Sequence, residues 1–168
     1  ALAHDLGITE FPAPAGGCVL TDPNLATRVQ RFYAGMFRLA QDKISADDIR
    51  LLLLGRQFCL PGGHWLILGR NEQENDRLIR ACGPDDWLLS MPERPGPTAL
   101  VRRAAWAVAD QHERAEVIRC AAGLVVRYGK KIRGDRPPAD LLLLAGDSQH
   151  VVSNVTALQD DLFLSWSI

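Results

Sequence analysis

The sequence predicts an α+β fold with a mostly antiparallel sheet and packed helices, preceded by a short helical segment. Short apolar runs separated by Pro-Gly and Gly-Asp pairs are typical of hairpin strands. Apolar residues at positions i, i+3 and i+4 between residues 113 and 131 predict one long helix. The 168 residues, of which 47% are hydrophobic, are enough for one domain with a short appended segment.

The N-terminal part contains two helix starts separated by a polar stretch. Asp22-Pro23 combines an N-cap residue with a proline at the first helical position, and the apolar residues that follow predict a helix. Ser45 and the acidic residues after it begin a second, short helix over residues 49–54. The polar residues 41–43 lie between these helices. We therefore predict two units, residues 1–43 and residues 44–168.

Two turn motifs fix the predicted hairpins. Pro61-Gly62-Gly63 separates one pair of apolar runs, and Gly146-Asp147 separates another. A further pair of runs lies on either side of a proline-rich turn at residues 92–97. The strands are accordingly predicted at residues 57–60, 64–68, 87–91, 98–102, 141–144, 149–152 and 162–168.

Two further helices lie between these strands. Residues 71–81 predict a polar helix with Leu78 and Ile79 on its inner face, and Gly83-Pro84 ends it. Residues 113–131 predict the strongest helix of the chain.

Charge is unevenly distributed along the chain, although the net charge is only −1. Residues 1–27 and 137–168 contain no Lys or Arg, whereas residues 98–136 contain nine basic residues and four acidic ones. This segregation predicts a basic face of the kind that binds phosphates. The alternative is an ordinary solvated helix face.

Several function classes lack their signatures in this sequence. The four cysteines form no C-x-x-C pair and the four histidines are scattered, so we expect no metal site. No nucleotide-binding glycine loop or G-x-S-x-G motif occurs. No apolar run approaches the ~20 residues that span a bilayer, and the first twenty residues lack a signal-peptide pattern. We expect a cytoplasmic protein with no membrane partner and no cofactor of its own.

An ordered set of motifs between residues 45 and 145 resembles the NFACT RNA-binding domain. A strand ending in Gly-Arg-Asn is followed by a helix with Asn-Asp, an Asp-x-Trp strand, a Pro-Gly turn, an arginine-ended strand and an alanine-rich helix ending in Tyr and a base. Many relatives have a histidine after the Pro-Gly turn, where this chain has Thr98, and this puts any contact or acid-base role there in doubt. The resemblance implies that the domain binds RNA.

The resemblance and the residue chemistry together predict a set of RNA-binding residues. Arg70-Asn71 at a strand-to-helix junction would place a guanidinium and free backbone N–H groups beside an anion. Trp87 either stacks on an unpaired base or belongs to the core. Asn75 and Asp76 either contact RNA or cap and solvate the helix. The predicted RNA-binding residues are Arg70, Asn71, Asn75, Asp76, Trp87, Arg102, Arg103, Lys130, Lys131 and Arg133.

The segment from Pro14 to Asn24 resembles the end of the catalytic domain in tRNA 2-thiouridylase-like proteins. These belong to the PP-loop ATP-pyrophosphatase superfamily, and some end in a divergent NFACT-type domain. The resemblance implies that Cys18, in a Gly-Gly-Cys turn, receives or attacks persulfide sulfur. A turn cysteine without a catalytic role is the alternative. The nucleotide loop is not in this sequence, so ATP is expected only in a catalytic domain outside this chain.

These observations lead to one expected function and two alternatives. We expect an RNA-binding domain, for tRNA or structured RNA, that belongs to a tRNA thiolation enzyme and is not catalytic by itself. An N-terminal PP-loop domain, in cis, would supply the sulfurtransferase activity. The alternatives are a sulfur-carrier enzyme with Cys18 as its nucleophile, and a protein-interaction domain.

Overall fold

The computed structural model describes residues 22–39, 44–108 and 110–168, apart from the side chain of Trp106. A six-stranded antiparallel sheet with the order β1-β2-β4-β3-β5-β6 dominates the fold. Its strands are β1 (Arg56–Leu60), β2 (His64–Leu68), β3 (Trp87–Ser90), β4 (Ala99–Val101), β5 (Ala139–Ala145) and β6 (Ser148–Val155). The helices are α1 (Pro23–Tyr33), α2 (Ala46–Leu51), α3 (Glu72–Ala81), α4 (Ala104–Ala107), α5 (Gln111–Tyr128) and α6 (Asp160–Phe163), and two 3-10 turns span Pro61–Gly63 and Leu164–Trp166.

Side-chain caps begin the longer helices where the sequence predicts them. The carboxylate of Asp22 accepts a hydrogen bond from the N–H of Asn24 at 2.9 Å, and Asn71 caps α3 in the same way through Glu74. Ser45 and Asp48 form a reciprocal capping box at the start of α2. Each cap satisfies backbone N–H groups that have no partner within the helix, which fixes where the helix begins.

The sheet separates two hydrophobic clusters. On one face α5 packs against alternate strand residues, among them Leu66 and Leu68 of β2. On the other face Trp65 and Ile67 of the same strand join residues from α1, α2 and α3. Because both faces of β2 are covered, all five of its residues are buried, and the four from Trp65 to Leu68 are apolar.

The segment from Asp22 to Leu39 packs on the sheet. The rings of Phe32 and Phe37 lie 5.3 and 5.0 Å from the ring of Trp65, centroid to centroid. The N–H of Arg38 donates to the carbonyl of Gly63 at 2.7 Å. The predicted division into residues 1–43 and 44–168 stays a prediction, and the described part of the first unit contacts the second.

Two sequence-based expectations are wrong. Residues 162–168 do not form a strand: α6 and a 3-10 turn occupy most of this segment, and Ser167 makes only an isolated bridge to Phe58. The helical turn buries Phe163, whose ring contacts Phe58 and Tyr128. Ile79 is 51% exposed, whereas Leu78 is fully buried. The other predicted strands and helices are present with shifted ends.

Within the described ranges, no helix is long and apolar enough to cross a membrane. The same ranges contain no group of three or more metal-binding side chains close enough to hold an ion.

Candidate nucleic-acid interface

Several of the motifs singled out in the sequence meet at one groove. It has a volume of about 540 Å³ and lies between the start of α3, the Pro95-Gly96-Pro97 turn and the end of α5. We call it the Tyr128 groove; it is lined by Arg56, Gly69, Arg70, Asn71, Glu72, Asn75, Pro95, Gly96, Pro97, Tyr128 and Lys130. Four of the predicted contact residues therefore share one site: Arg70, Asn71, Asn75 and Lys130.

Arg70 is held at the mouth of this groove by Glu74. Its Nη2 and Nε donate to Oε1 of Glu74 at 2.8 and 3.1 Å, and its backbone N–H donates to Oε2 at 2.8 Å. Burial raises the pKa of Glu74, but the hydrogen bonds from Arg70 outweigh that effect, so the pKa lies below its usual value. The side chain of Arg70 is still 47% exposed. It is oriented yet accessible to an anion.

Asn75 positions the groove wall. Its Oδ1 accepts from the N–H of Thr98 at 2.9 Å, and its Nδ2 donates to the carbonyl of Gly96 at 3.2 Å. The amide thus joins α3 to the Pro-Gly turn. A Cβ added at Gly69 would collide with Oδ1 of Asn75, so the glycine of the Gly-Arg-Asn motif is needed for this approach.

The opposite wall is formed by the end of α5. A Cβ on Gly96 or on Gly129 would collide with the Met91 methyl group, so these two glycines let the turn and the helix end approach. The N–H of Lys130 donates to the carbonyl of Pro95 at 3.0 Å. The side chain of Lys130 is exposed and makes no ion pair with the described residues.

Arg56 and Tyr128 complete the groove and were not among the predicted contacts. The guanidinium carbon of Arg56 lies 4.6 Å from the centre of the Tyr128 ring, and the tyrosine is 36% exposed. Arg56 pairs with Leu68 in the hairpin register, directly before Gly69-Arg70. Tyr128 ends the alanine-rich helix singled out in the sequence, but only the folded domain brings Arg56 against its ring.

Trp87 is not available as a stacking platform, which corrects that prediction. It is 2% exposed and belongs to the core beneath α5. The guanidinium carbon of Arg114 lies 4.6 Å from its ring centre. Burial of so large an aromatic surface stabilises the fold, and an unpaired base cannot reach it.

Arg102 and Arg103 neutralise buried carboxylates, which corrects their prediction as phosphate contacts. Arg102 donates to Asp48 at 2.8 Å and to Asp86 at 2.7 Å, and Arg103 donates to Asp48 at 2.6 Å. The two carboxylates are 0% and 1% exposed. Burial raises the pKa of Asp48, but hydrogen bonds from Ser45 and Arg102 outweigh it and lower the pKa below its usual value.

Other basic residues of the 98–136 segment are also engaged. Arg119 pairs with Glu116, and Arg127 pairs with Asp160. The exposed cations of this segment that make no ion pair with a described residue are Lys130, Lys131 and Arg133, and of these Lys130 lines the groove. Asp76 is exposed on α3. RNA contact by Asp76, Lys131 and Arg133 stays a prediction.

The cysteines in the described ranges are not activated. Burial raises the pKa of Cys59, Cys82 and Cys120, so the thiolate is disfavoured at each. Cys18, the predicted sulfur acceptor, lies outside the described residues.

The comparison with family models shows which family the chain belongs to. The model of the NFACT protein RNA binding domain matches residues 55–166. The chain therefore belongs to the NFACT RNA-binding domain family, and an RNA-binding role follows from that membership. None of the curated proteins matches the chain in sequence.

A solved structure shares the fold. It is the C-terminal part of the fibronectin/fibrinogen-binding protein from Streptococcus suis, with a TM-score of 0.54 and 14% sequence identity. The similarity covers 76% of this chain and 63% of that one. The likeness confirms the predicted α+β fold.

Proposed function

We propose that the Tyr128 groove is where this domain binds RNA, and that the RNA it takes is tRNA or another structured RNA with an unpaired segment. The observation that carries the proposal is the meeting of the Gly-Arg-Asn, Pro-Gly and Tyr-Gly-Lys motifs around a single groove. Charged and polar groups that converge on one cleft support a ligand-binding site there.

Each part of the groove has a chemical role toward RNA. The guanidinium of Arg70 and the N-terminus of α3 attract a phosphate. The plane formed by Arg56 on Tyr128 offers a stacking surface to an unpaired base. Lys130 adds a mobile point charge on the opposite wall. Asn75 holds the walls at a fixed separation.

The test compares groove variants with a matched surface variant. Arg56→Gln and Lys130→Gln each remove one positive charge from the groove, whereas Arg80→Gln removes one from the exposed end of α3. Each groove variant should lower the slope of log K against log salt by about one, and Arg80→Gln should leave it unchanged. Fluorescence anisotropy with labelled tRNA across a salt series measures all three.

Equal effects of the three substitutions would mean that binding follows net charge rather than the groove. A folded protein that binds no RNA at low salt would favour the protein-interaction alternative.

The biological setting of the RNA is the second part of the proposal. The likeness of residues 14–24 to the end of 2-thiouridylase-like catalytic domains supports a tRNA thiolation enzyme as the parent. Its PP-loop domain, in cis and with its own ATP, would be the sulfurtransferase, and this cytoplasmic domain would deliver the tRNA. The reading frame upstream of Ala1 tests this. If it encodes no PP-loop domain, the proposed thiolation role is wrong, and the proposed RNA binding is unaffected.

Cys18 would act in the same enzyme as the sulfur acceptor. Timed alkylation with mass spectrometry should label Cys18 before Cys59, Cys82 and Cys120, since burial disfavours the thiolate at those three. If Cys59 or Cys120 reacts as fast as Cys18, the persulfide role loses its chemical basis.

A further inference from the structure

A second groove shares Arg70 with the Tyr128 groove. It has a volume of about 470 Å³ and lies between α1 and the residues that follow α2. We call it the Arg28 groove; its lining includes Asn24, Thr27, Arg28, Leu53, Arg70 and Ile168. Because Arg70 lines both, the two grooves adjoin at this arginine.

Arg28 is a fixed cation in this second groove. It is half-buried, and its Nη1 donates to the carbonyl of Leu52 at 3.1 Å. Its Nε is buried and has no hydrogen-bond partner among residues 22–39, 44–108 and 110–168. Burial and then the charge of Arg70 lower the pKa of Arg28, while Asp22 and Glu74 act in the opposite direction.

Arg28 is therefore a partly desolvated cation within electrostatic range of Arg70. Arg28 makes no ion pair with a described carboxylate, and Asp22 in the lining uses its Oδ1 to cap α1. The charge of Arg70 disfavours the Arg28 cation, Asp22 and Glu74 offset part of this effect, and a bound anion would stabilise Arg28 further. The groove is thus prepared for a negatively charged group.

We propose that RNA bound in the Tyr128 groove continues past Arg70 into the Arg28 groove, where Arg28 contacts a phosphate of the RNA backbone. The proposal rests on the proposed function. Leu53, which is 43% exposed, gives the adjoining nucleoside an apolar surface. Helix α1 lies outside residues 55–166, so the segment that precedes the family domain extends its RNA-binding surface.

The experiment uses the whole 168-residue chain and a labelled oligouridylate of about twelve nucleotides. Arg28→Gln removes the charge but keeps an N–H donor for the Leu52 carbonyl. Arg31→Gln is the matched control, because Arg31 is an exposed arginine on the same helix. Arg28→Gln should weaken binding about three- to tenfold at low salt and lower the salt slope by about one. Arg31→Gln should stay within about twofold of the wild type.

Equal binding by Arg28→Gln and Arg31→Gln overturns the extended path. In that case the Tyr128 groove is still the RNA-binding site if Lys130→Gln weakens binding. The experiment therefore distinguishes failure of the extended path from failure of the proposed function. A direct readout on the wild type covers the case in which Arg28→Gln does not fold. The Nε–H resonance of Arg28, assigned with Arg28→Lys, should shift when the oligouridylate saturates the protein, and an unmoved resonance also overturns the proposal.

Discussion

Asp48 is a fully buried carboxylate that lies between two arginines, and its negative charge therefore stabilises the fold. Hydrogen bonds hold its pKa below the usual value despite burial. A lowered pKa stabilises the fold at every pH above the ordinary value of about 3.9, and that stability is lost as the pH falls through the lowered value.

Asp48→Asn should therefore destabilise the protein by about 3–5 kcal/mol at neutral pH, because it removes the charge of a buried carboxylate that both Arg102 and Arg103 bind. The variant should also lose less stability than the wild type when the pH is lowered below about 4. Urea denaturation at several pH values measures both effects. Asp47→Asn is the control, since its ion pair with Arg50 is exposed and worth at most about 1 kcal/mol. Parallel pH profiles for wild type and Asp48→Asn would refute this role.

The same network shows why the site residues were only partly predictable. From the sequence alone, Arg102 is predicted to be a free cation, because its partner Asp48 lies 54 positions away. The sequence is compatible with Trp87 as a core residue or as a stacking surface. Only the packing of α5 over Trp87 shows that it is a core residue. The position of Arg70 and Asn71 was predictable because it follows from a local strand-to-helix junction, and both line the Tyr128 groove.

At the scale of elements, Asn75 connects α3 to the Pro-Gly turn through two hydrogen bonds. This role does not require Asn75 to contact the RNA. Asn75→Ala should release the turn, widen the groove and weaken RNA binding several-fold. The salt slope should stay unchanged, because no phosphate-binding charge is lost. Anisotropy titrations at two or more salt concentrations check this, with Gln73→Ala as the control, because Gln73 is an exposed, uncharged residue of the same helix. A changed slope in Asn75→Ala would place the side chain on the RNA instead.

Elements with local signals were predicted well, and the last segment was not. Pro61-Gly62-Gly63 predicts the first hairpin because both glycines adopt positive φ angles in its turn. The pattern of residues 162–168 is too short to distinguish a strand from a helical turn. Its outcome depends on Phe163, which fills a space between Phe58 and Tyr128 that only the folded domain creates.

For the whole molecule, the pairing of basic side chains with carboxylates determines how strongly RNA binding should depend on salt. The sequence shows a basic surplus in residues 98–136, but Arg102, Arg103, Arg119 and Arg127 are engaged by carboxylates. The Tyr128 groove contains Arg56, Lys130 and Arg70, the last of which is paired with Glu74 but still 47% exposed. If each of the three contacts a phosphate, tRNA affinity should fall about twenty- to fortyfold between about 50 and 200 mM salt. A loss of several hundredfold in the same titration would mean that a wider basic surface takes part.

One edge of the sheet is completed by residues far away in the chain. Ser167 bridges to Phe58, and the N–H of Ile168 donates to the carbonyl of Gln57 at 3.0 Å. The hairpins join neighbours in sequence and form early, whereas this closure is among the longest-range contacts of the domain. Synthesis proceeds from the N-terminus. A ribosome-bound chain therefore has its first hairpin before the residues that cover it, and during that interval the exposed edge of β1 is open to pairing with other chains.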